Sequence, residues 1–260
     1  ALIFGSAIHE ALELFYDNHM TSKADDVIGK AINYLIENKN IIPYKAKEDI
    51  NILKNKAEIM LSTWYREWAL EDLEKFEVIE VEQSYEISLG PEENSFLFTV
   101  RPDRVLRNKS TKLYEVHDTK TTGYSIPKAY QAVEQQDQIT SYIWALNLQH
   151  PKWDLDTGMV DILYRKGNVC KAERHGPIYR NKLDLIRFEM GMYGTILEVS
   201  QKVENLNKYP RETMFPRNGA ICSIFDCEYK DICRTNLKPG AIPLGFKRDE
   251  WKKDKDNANN

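Results

Sequence analysis

At 260 residues, with 42% hydrophobic and 29% charged side chains, the chain has the make-up of a globular protein that can bury a substantial core, not of a disordered or fibrous one. Its net charge of −4 excludes a uniformly basic nucleic-acid-binding surface but not a local one. No apolar run reaches the length of a membrane span and no charged segment precedes an apolar leader, so a cytosolic location is expected (the host cytosol if phage-encoded); the opening Ala1 in place of Met leads us to expect residues upstream.

Taken in chain order, Ser6 is a candidate N-cap followed by Ile8, Ala11, Leu12 and Phe15 at helical spacing. Residues 24–39 and 46–75 also read as helices, the second carrying Leu53, Met60, Trp64 and Trp68. From Phe76 the period changes to two. "FEVIEVEQSYEISL" and "SFLFTVRPDRVL" read as strands joined by a turn at Gly90-Pro91, and "KLYEVHDTKT" as a third strand. Ile126 to Gln149 reads as one long helix entered through Pro127. "GMVDILYRKG" and "VCKAERHGPIY" read as strands and Lys182 to Asn207 as a further helix. This order implies an α/β fold with helices preceding a strand meander. Domains are expected at 1–209, at 210–245 (a cysteine-bearing lobe) and at 246–260 (a polar tail).

Charge is unevenly spread. Residues 71–93 hold nine acidic side chains against Lys75. Arg101 to Lys112 holds five basic residues against Asp103, and Arg165 to Arg187 holds seven against Glu173 and Asp184. Such a layout suits a polyanion bound on one side, and equally a mixed solvated surface.

The stretch "RPDRVLRNKSTKLYEVHDTKTTG" alternates like a hairpin. A turn at Asn108–Thr111 would pair Arg107 with Lys112 and set Asp103 opposite Val116. Asp118 would then be the diagonal neighbour of Asp103, with Lys120 on the same face. Two carboxylates brought together repel unless a cation joins them, and a hard ion such as Mg²⁺ or Mn²⁺ takes oxygen ligands. Glu80 and Glu82 are expected to face solvent, and His117 to point away from Asp118.

Pro102-Asp103 followed by Asp118-Thr119-Lys120 resembles the PD-(D/E)XK signature. "FGSAIHEALE" sets His9 four residues after Gly5, similar to the Gly-x-x-x-His motif of the RecB branch, and "QDQITSYIWAL" supplies the Gln138-x-x-x-Tyr142 of that branch. The chain thus resembles a RecB-family PD-(D/E)XK nuclease, and is similar to phage exonucleases and CRISPR-adaptation nucleases of that clan. The resemblance implies a restriction-endonuclease-like core, a mixed central sheet flanked by helices, with an N-terminal helical part and an irregular C-terminal segment. It also implies divalent-metal-dependent hydrolysis of DNA phosphodiesters, with exonuclease action favoured. By the same resemblance His9, Asp103, Asp118 and the Thr119 carbonyl would hold the metal, and Lys120 would orient the attacking water. Gln138 and Tyr142 would support the site and meet DNA. Where the family often has Gly before its first Asp, this chain has Arg101-Pro102; Arg101 and Arg104 are candidate phosphate contacts.

Cys222, Cys227 and Cys233 cluster in "ICSIFDCEYKDIC", a spacing that favours a metal over disulfides in a cytosolic protein. Resemblance to RecB-branch nucleases implies a structural [4Fe–4S] cluster closed by a cysteine upstream of the chain, whereas plain packing of the three thiols remains open. Other readings of the whole are a catalytically silent nucleic-acid-binding module and a zinc-stabilised interaction domain.

Overall fold

The computed structural model describes residues 2–38, 49–90, 96–166, 169–209 and 211–214. Three helices come first: α1 (Leu2–Asp17), α2 (Ala24–Glu37) and α3 (Ile50–Trp64). In α1, Ala7, Ile8, Ala11, Leu12, Phe15 and Tyr16 recur at helical spacing and are all buried. They meet Val27, Ala31 and Leu35 of α2 and Met60, Leu61 and Trp64 of α3 in one core. Phe15, Tyr16 and Trp64 pack edge to face within it. Ser6 lies inside α1 and does not cap it, and a π-helical segment (Tyr65–Ala69) separates α3 from α4 (Leu70–Lys75).

The strands are β1 (Phe76–Val81), β2 (Tyr85–Leu89), β3 (Phe96–Val100), β4 (Arg104–Asn108), β5 (Tyr114–Thr122), β6 (Thr157–Lys166) and β7 (Val169–Tyr179). Five of them form a sheet in the order β1-β4-β5-β6-β7, antiparallel except for the parallel β5–β6 pair. A mixed sheet flanked by helices is the expected core. The two long expected strands each break in two, however, and β2 and β3 pair apart from the sheet as a separate hairpin. The breaks have local causes. Glu82 takes a left-handed backbone (φ 49°), and Pro102 has no N–H to give a ladder.

Successive residues of the sheet divide between two cores, as alternation of faces requires. Leu106 and Leu163 join the α1–α3 core. Val105, Val116, Val160 and Ile162 join a second core with α5 (Ile126–Gln135), α6 (Gln138–Gln149) and α7 (Lys182–Glu204). The single helix expected over 126–149 is therefore two. Gln136 is extended (φ −82°, ψ 142°), within the polar run Glu134–Gln138 that offers no apolar face to carry one helix through. Among the described residues no helix is long and apolar enough to cross a membrane.

The chain divides into two compact units, 1–197 and 198–260, so the division falls within α7. The described part of the second comprises the end of α7, a 3₁₀ turn (Asn205–Asn207) and α8 (Arg211–Met214). Cys222, Cys227, Cys233 and the polar tail lie outside the described residues. Cys170 is a free thiol in β7.

Candidate metal centre

The site gathers where the sheet loses its regular pairing. Val81 pairs with Arg104, and one residue beyond that pair the chain has Glu82 on one side and Asp103 on the other. The Glu82 N–H donates to the Asp103 carbonyl at 2.9 Å, closing this corner. α1 lies across it and presents His9, whose Nδ1 is 3.3 Å from Asp103 Oδ2 and 3.9 Å from Glu82 Oε1. One ligand atom each from His9, Glu82 and Asp103 lie within 4.8 Å of one another, all three residues half-buried. One imidazole nitrogen and two carboxylate oxygens make a donor set that could hold a divalent metal ion. Burial alone would lower the His9 pKa. Hydrogen bonding to Asp103 and Glu82, with the charges of Asp103 and Asp118, outweighs burial and raises it to about 10. Without a metal, then, a proton on His9 balances the carboxylates, in the place where a cation's charge fits.

Glu82 was expected to face solvent, and the structure corrects this. The sequence did carry a signal. Pro102-Asp103 ends the pairing of β4, so the residue paired beyond Val81 must also leave the sheet. A bulge between Val78 and Glu80 shifts the phase of β1 and hides that signal from simple alternation.

The β4–β5 hairpin has a different register from the expected one. Arg107 pairs with Tyr114 and Val105 with Val116, so the strands slide by two residues and Asp103 extrapolates to a place opposite Asp118 itself. The cause is the turn. Asn108 Oδ1 accepts from the N–H groups of Ser110 and Thr111, and Lys112 is left-handed (φ 62°), which lengthens the loop. Both carboxylates still arrive at the same end of the sheet. Thr119 N–H donates to Asp103 Oδ2 at 2.7 Å.

Asp118 is 1% exposed. Lys120 Nζ stands 2.8 Å from its Oδ2, and Gln138 Nε2, at the start of α6, donates to its Oδ1 at 3.2 Å. Gln138 also donates to the Tyr142 hydroxyl at 2.6 Å. Burial, and then the charge of Asp103, push the Asp118 pKa up, with Lys120 and His9 pulling against them. Gln138 and Tyr142 do share one face, but Tyr142 is 7% exposed and sits too deep to meet a DNA backbone. Its hydroxyl meets the site only as the acceptor of the Gln138 amide. His117 points to the opposite face against Phe76, as expected.

Arg104 is a clear departure. It is 1% exposed and cannot be a phosphate contact. Its Nη2 bonds Asp161 Oδ2 at 2.6 Å and its Nη1 bonds Thr119 Oγ1 at 2.9 Å. Strand alternation sends it to the face opposite Val105, into the α1–α3 core. There Arg174 joins Asp161 to Asp72 by paired hydrogen bonds, and the Tyr16 hydroxyl donates to Asp72. Two of the basic residues read as an electrostatic footprint are thus structural. Arg101 remains half-exposed, with its Nε 3.0 Å from Glu82 Oε2.

No curated protein matches the chain. Among solved structures, the crystal structure of SSO0001 aligns at 14% identity over 88% of this chain and 96% of that one, with a TM-score of 0.37. A family model, that of the PD-(D/E)XK nuclease superfamily, matches residues 1–234 and so takes in every element that builds the site. The Asp103, Asp118-Thr119-Lys120 hairpin and the match over most of the chain agree: the chain belongs to the PD-(D/E)XK nuclease superfamily.

Proposed function

We propose that this protein is a RecB-branch deoxyribonuclease that needs Mg²⁺ or Mn²⁺ and works as an exonuclease on DNA ends, in recombination, repair or phage DNA processing in the cytosol. The observation that carries the reading is the His9–Glu82–Asp103 cluster, its ligand atoms within 4.8 Å, standing beside the Asp118–Lys120 pair. His9, Glu82, Asp103, Asp118 and the Thr119 carbonyl are the groups that would hold the ion. When bound, such an ion polarises the phosphoryl oxygens and lowers the pKa of a water.

The chain's own residues do the rest. Lys120 is one-third exposed and can turn its ammonium toward a water or a phosphoryl oxygen while its ion pair with Asp118 holds its place. Gln138, braced by Tyr142, fixes the Asp118 carboxylate. Arg101 supplies a half-exposed cation at the rim for a flanking phosphate. The exonuclease preference rests on the motif resemblance, as does a [4Fe–4S] cluster on Cys222, Cys227, Cys233 and an upstream cysteine; the domain limits at 209 and 245 rest on the irregular, cysteine-bearing sequence past Pro210 and the polar tail.

The test is cleavage of end-labelled linear DNA beside a closed circle, with Mg²⁺, Mn²⁺ or chelator. Metal-dependent release of nucleotides from ends, absent in Asp118→Asn and Lys120→Ala, is expected. Equal cutting of the circle would overturn the exonuclease reading. Full activity of Asp118→Asn would overturn the site.

A further inference from the structure

The metal cluster and the buried ion network meet at two dipeptides, Asp103-Arg104 and Asp118-Thr119. In each, the carboxylate turns to the site and the next side chain turns to the opposite face of the sheet. Those two back-facing side chains bond each other: Arg104 Nη1 donates to Thr119 Oγ1 at 2.9 Å. The same Thr119 gives its N–H to Asp103 Oδ2 at 2.7 Å, the oxygen that lies 3.3 Å from His9 Nδ1. Thr119 therefore links a cation on one face to a carboxylate on the other. Arg104 in turn has little freedom. It is 1% exposed, its Nη2 is held by Asp161 at 2.6 Å, its Nε has no hydrogen-bond partner among the described residues, and its guanidinium lies 4.4 Å from the Tyr16 ring centre. Asp161 is fixed by Arg174 through contacts of 2.6 and 2.9 Å.

We propose that Arg104 and Thr119 are positioning residues of the metal centre, a clamp behind the sheet that sets where the Asp103 carboxylate stands relative to His9 and Glu82. The inference rests on the metal-centre reading above. Stability alone would be served by any acceptor that satisfies Arg104. The clamp needs the acceptor to be on the one residue whose backbone also holds Asp103. The clamp is made by the Thr119 hydroxyl and N–H, as distinct from its carbonyl, and side chains that orient ligands without themselves touching the ion commonly change metal affinity by about 10–100-fold when removed.

The experiment measures Mn²⁺ binding to the full chain, by calorimetry and by the loss of free-ion paramagnetic signal, with no DNA present. Thr119→Val keeps the shape and β-branching but removes the acceptor, and Thr119→Ser keeps the acceptor. Expected are binding about 10–100-fold weaker in Thr119→Val and near wild type in Thr119→Ser. Leu35→Ala, in the core of α2, serves as the control for lost stability and should bind Mn²⁺ as the wild type does. Should Thr119→Val fail to fold, Arg104→Lys is read in the same way, since it keeps the charge and loses the fork. A folded Thr119→Val, or in its place Arg104→Lys, with wild-type Mn²⁺ affinity overturns the clamp. A wild-type chain that binds no Mn²⁺ overturns the metal centre itself, and the clamp with it.

Discussion

Gly158 sits in β6, where a side chain would meet the start of α6. A Cβ built there stands 2.4 Å from Ile139 Cγ2, against 3.5 Å from Val116 Cγ1. Carbon atoms rest about 3.5–4.0 Å apart, so Gly158→Ala asks Ile139 to retreat by roughly 1 Å or more. The methyl in the way branches from Cβ and follows the helix backbone closely, so the helix must move with it. Overpacking of this kind costs about 1–3 kcal/mol. For a domain of this size that lowers Tm by roughly 2–4 °C per kcal/mol, or about 2–12 °C in all. Gln138, the neighbour of Ile139, should lose its 3.2 Å bond to Asp118 as α6 shifts. Thermal unfolding followed by circular dichroism measures the first effect. Ile139→Leu supplies the decisive control, because it moves the branch from Cβ to Cγ and vacates the contested space. The double variant should recover most of the loss, giving a coupling energy of about 0.5–3 kcal/mol. A Gly158→Ala protein as stable as the wild type would refute the steric argument, and so would a leucine that restores nothing.

Three further outcomes follow from the buried charges. Arg174→Met leaves Asp72 and Asp161 facing one another without their shared cation, and should cost about 3–5 kcal/mol in denaturant unfolding. The Asp161 pKa moves down: burial opposes ionisation, and the Arg174 and Arg104 charges overcome it. A folded-state pKa below the unfolded value of about 3.9 means stabilisation that is complete above that pH and lost as pH falls toward the folded value. The Asp161 contribution, read as the Tm difference between wild type and Asp161→Asn, should therefore hold from neutral pH down to about pH 4 and then shrink. Asp118→Asn removes a carboxylate whose ionisation is disfavoured by burial and by Asp103, so its Tm at neutral pH should equal or exceed that of the wild type; a clear fall would contradict the repulsion argued for the pair.

Alternation on the hairpin was enough to bring Asp103, Asp118 and Lys120 to one face. His9, Gln138 and Tyr142 were picked out by resemblance to the Gly-x-x-x-His and Gln-x-x-x-Tyr motifs, and the structure sets His9 beside Asp103 and Gln138 beside Asp118. What escaped depended on contacts remote in sequence or on departures from the regular period. Arg104 meets Asp161 across 57 positions, a pairing no local pattern contains, and so a buried ion-pair partner read as a surface cation. Glu82 was hidden by the bulge in β1, which alters the face that each later residue takes. The hairpin register was off by two because the Asn108 side chain builds its own loop, yet a shift of two preserves the faces. A shift of one would have moved Asp118 to the wrong side. The break between α5 and α6 follows from burial. The first two turns of α6 are covered almost all round, whereas α5 buries only Val133 deeply.

The β2–β3 hairpin departs from the sheet after Val81 and returns at Arg104, two residues that pair with each other. Its two roots are pinned together by the Glu82 to Asp103 bond, so the stretch between them enters and leaves through a single closed gate. Ile87, Leu89 and Val100 rest in the second core, so the hairpin is anchored there as well as at its roots. A change of length between Leu89 and Phe96 therefore need not alter the spacing of Glu82 and Asp103, which their own bond holds.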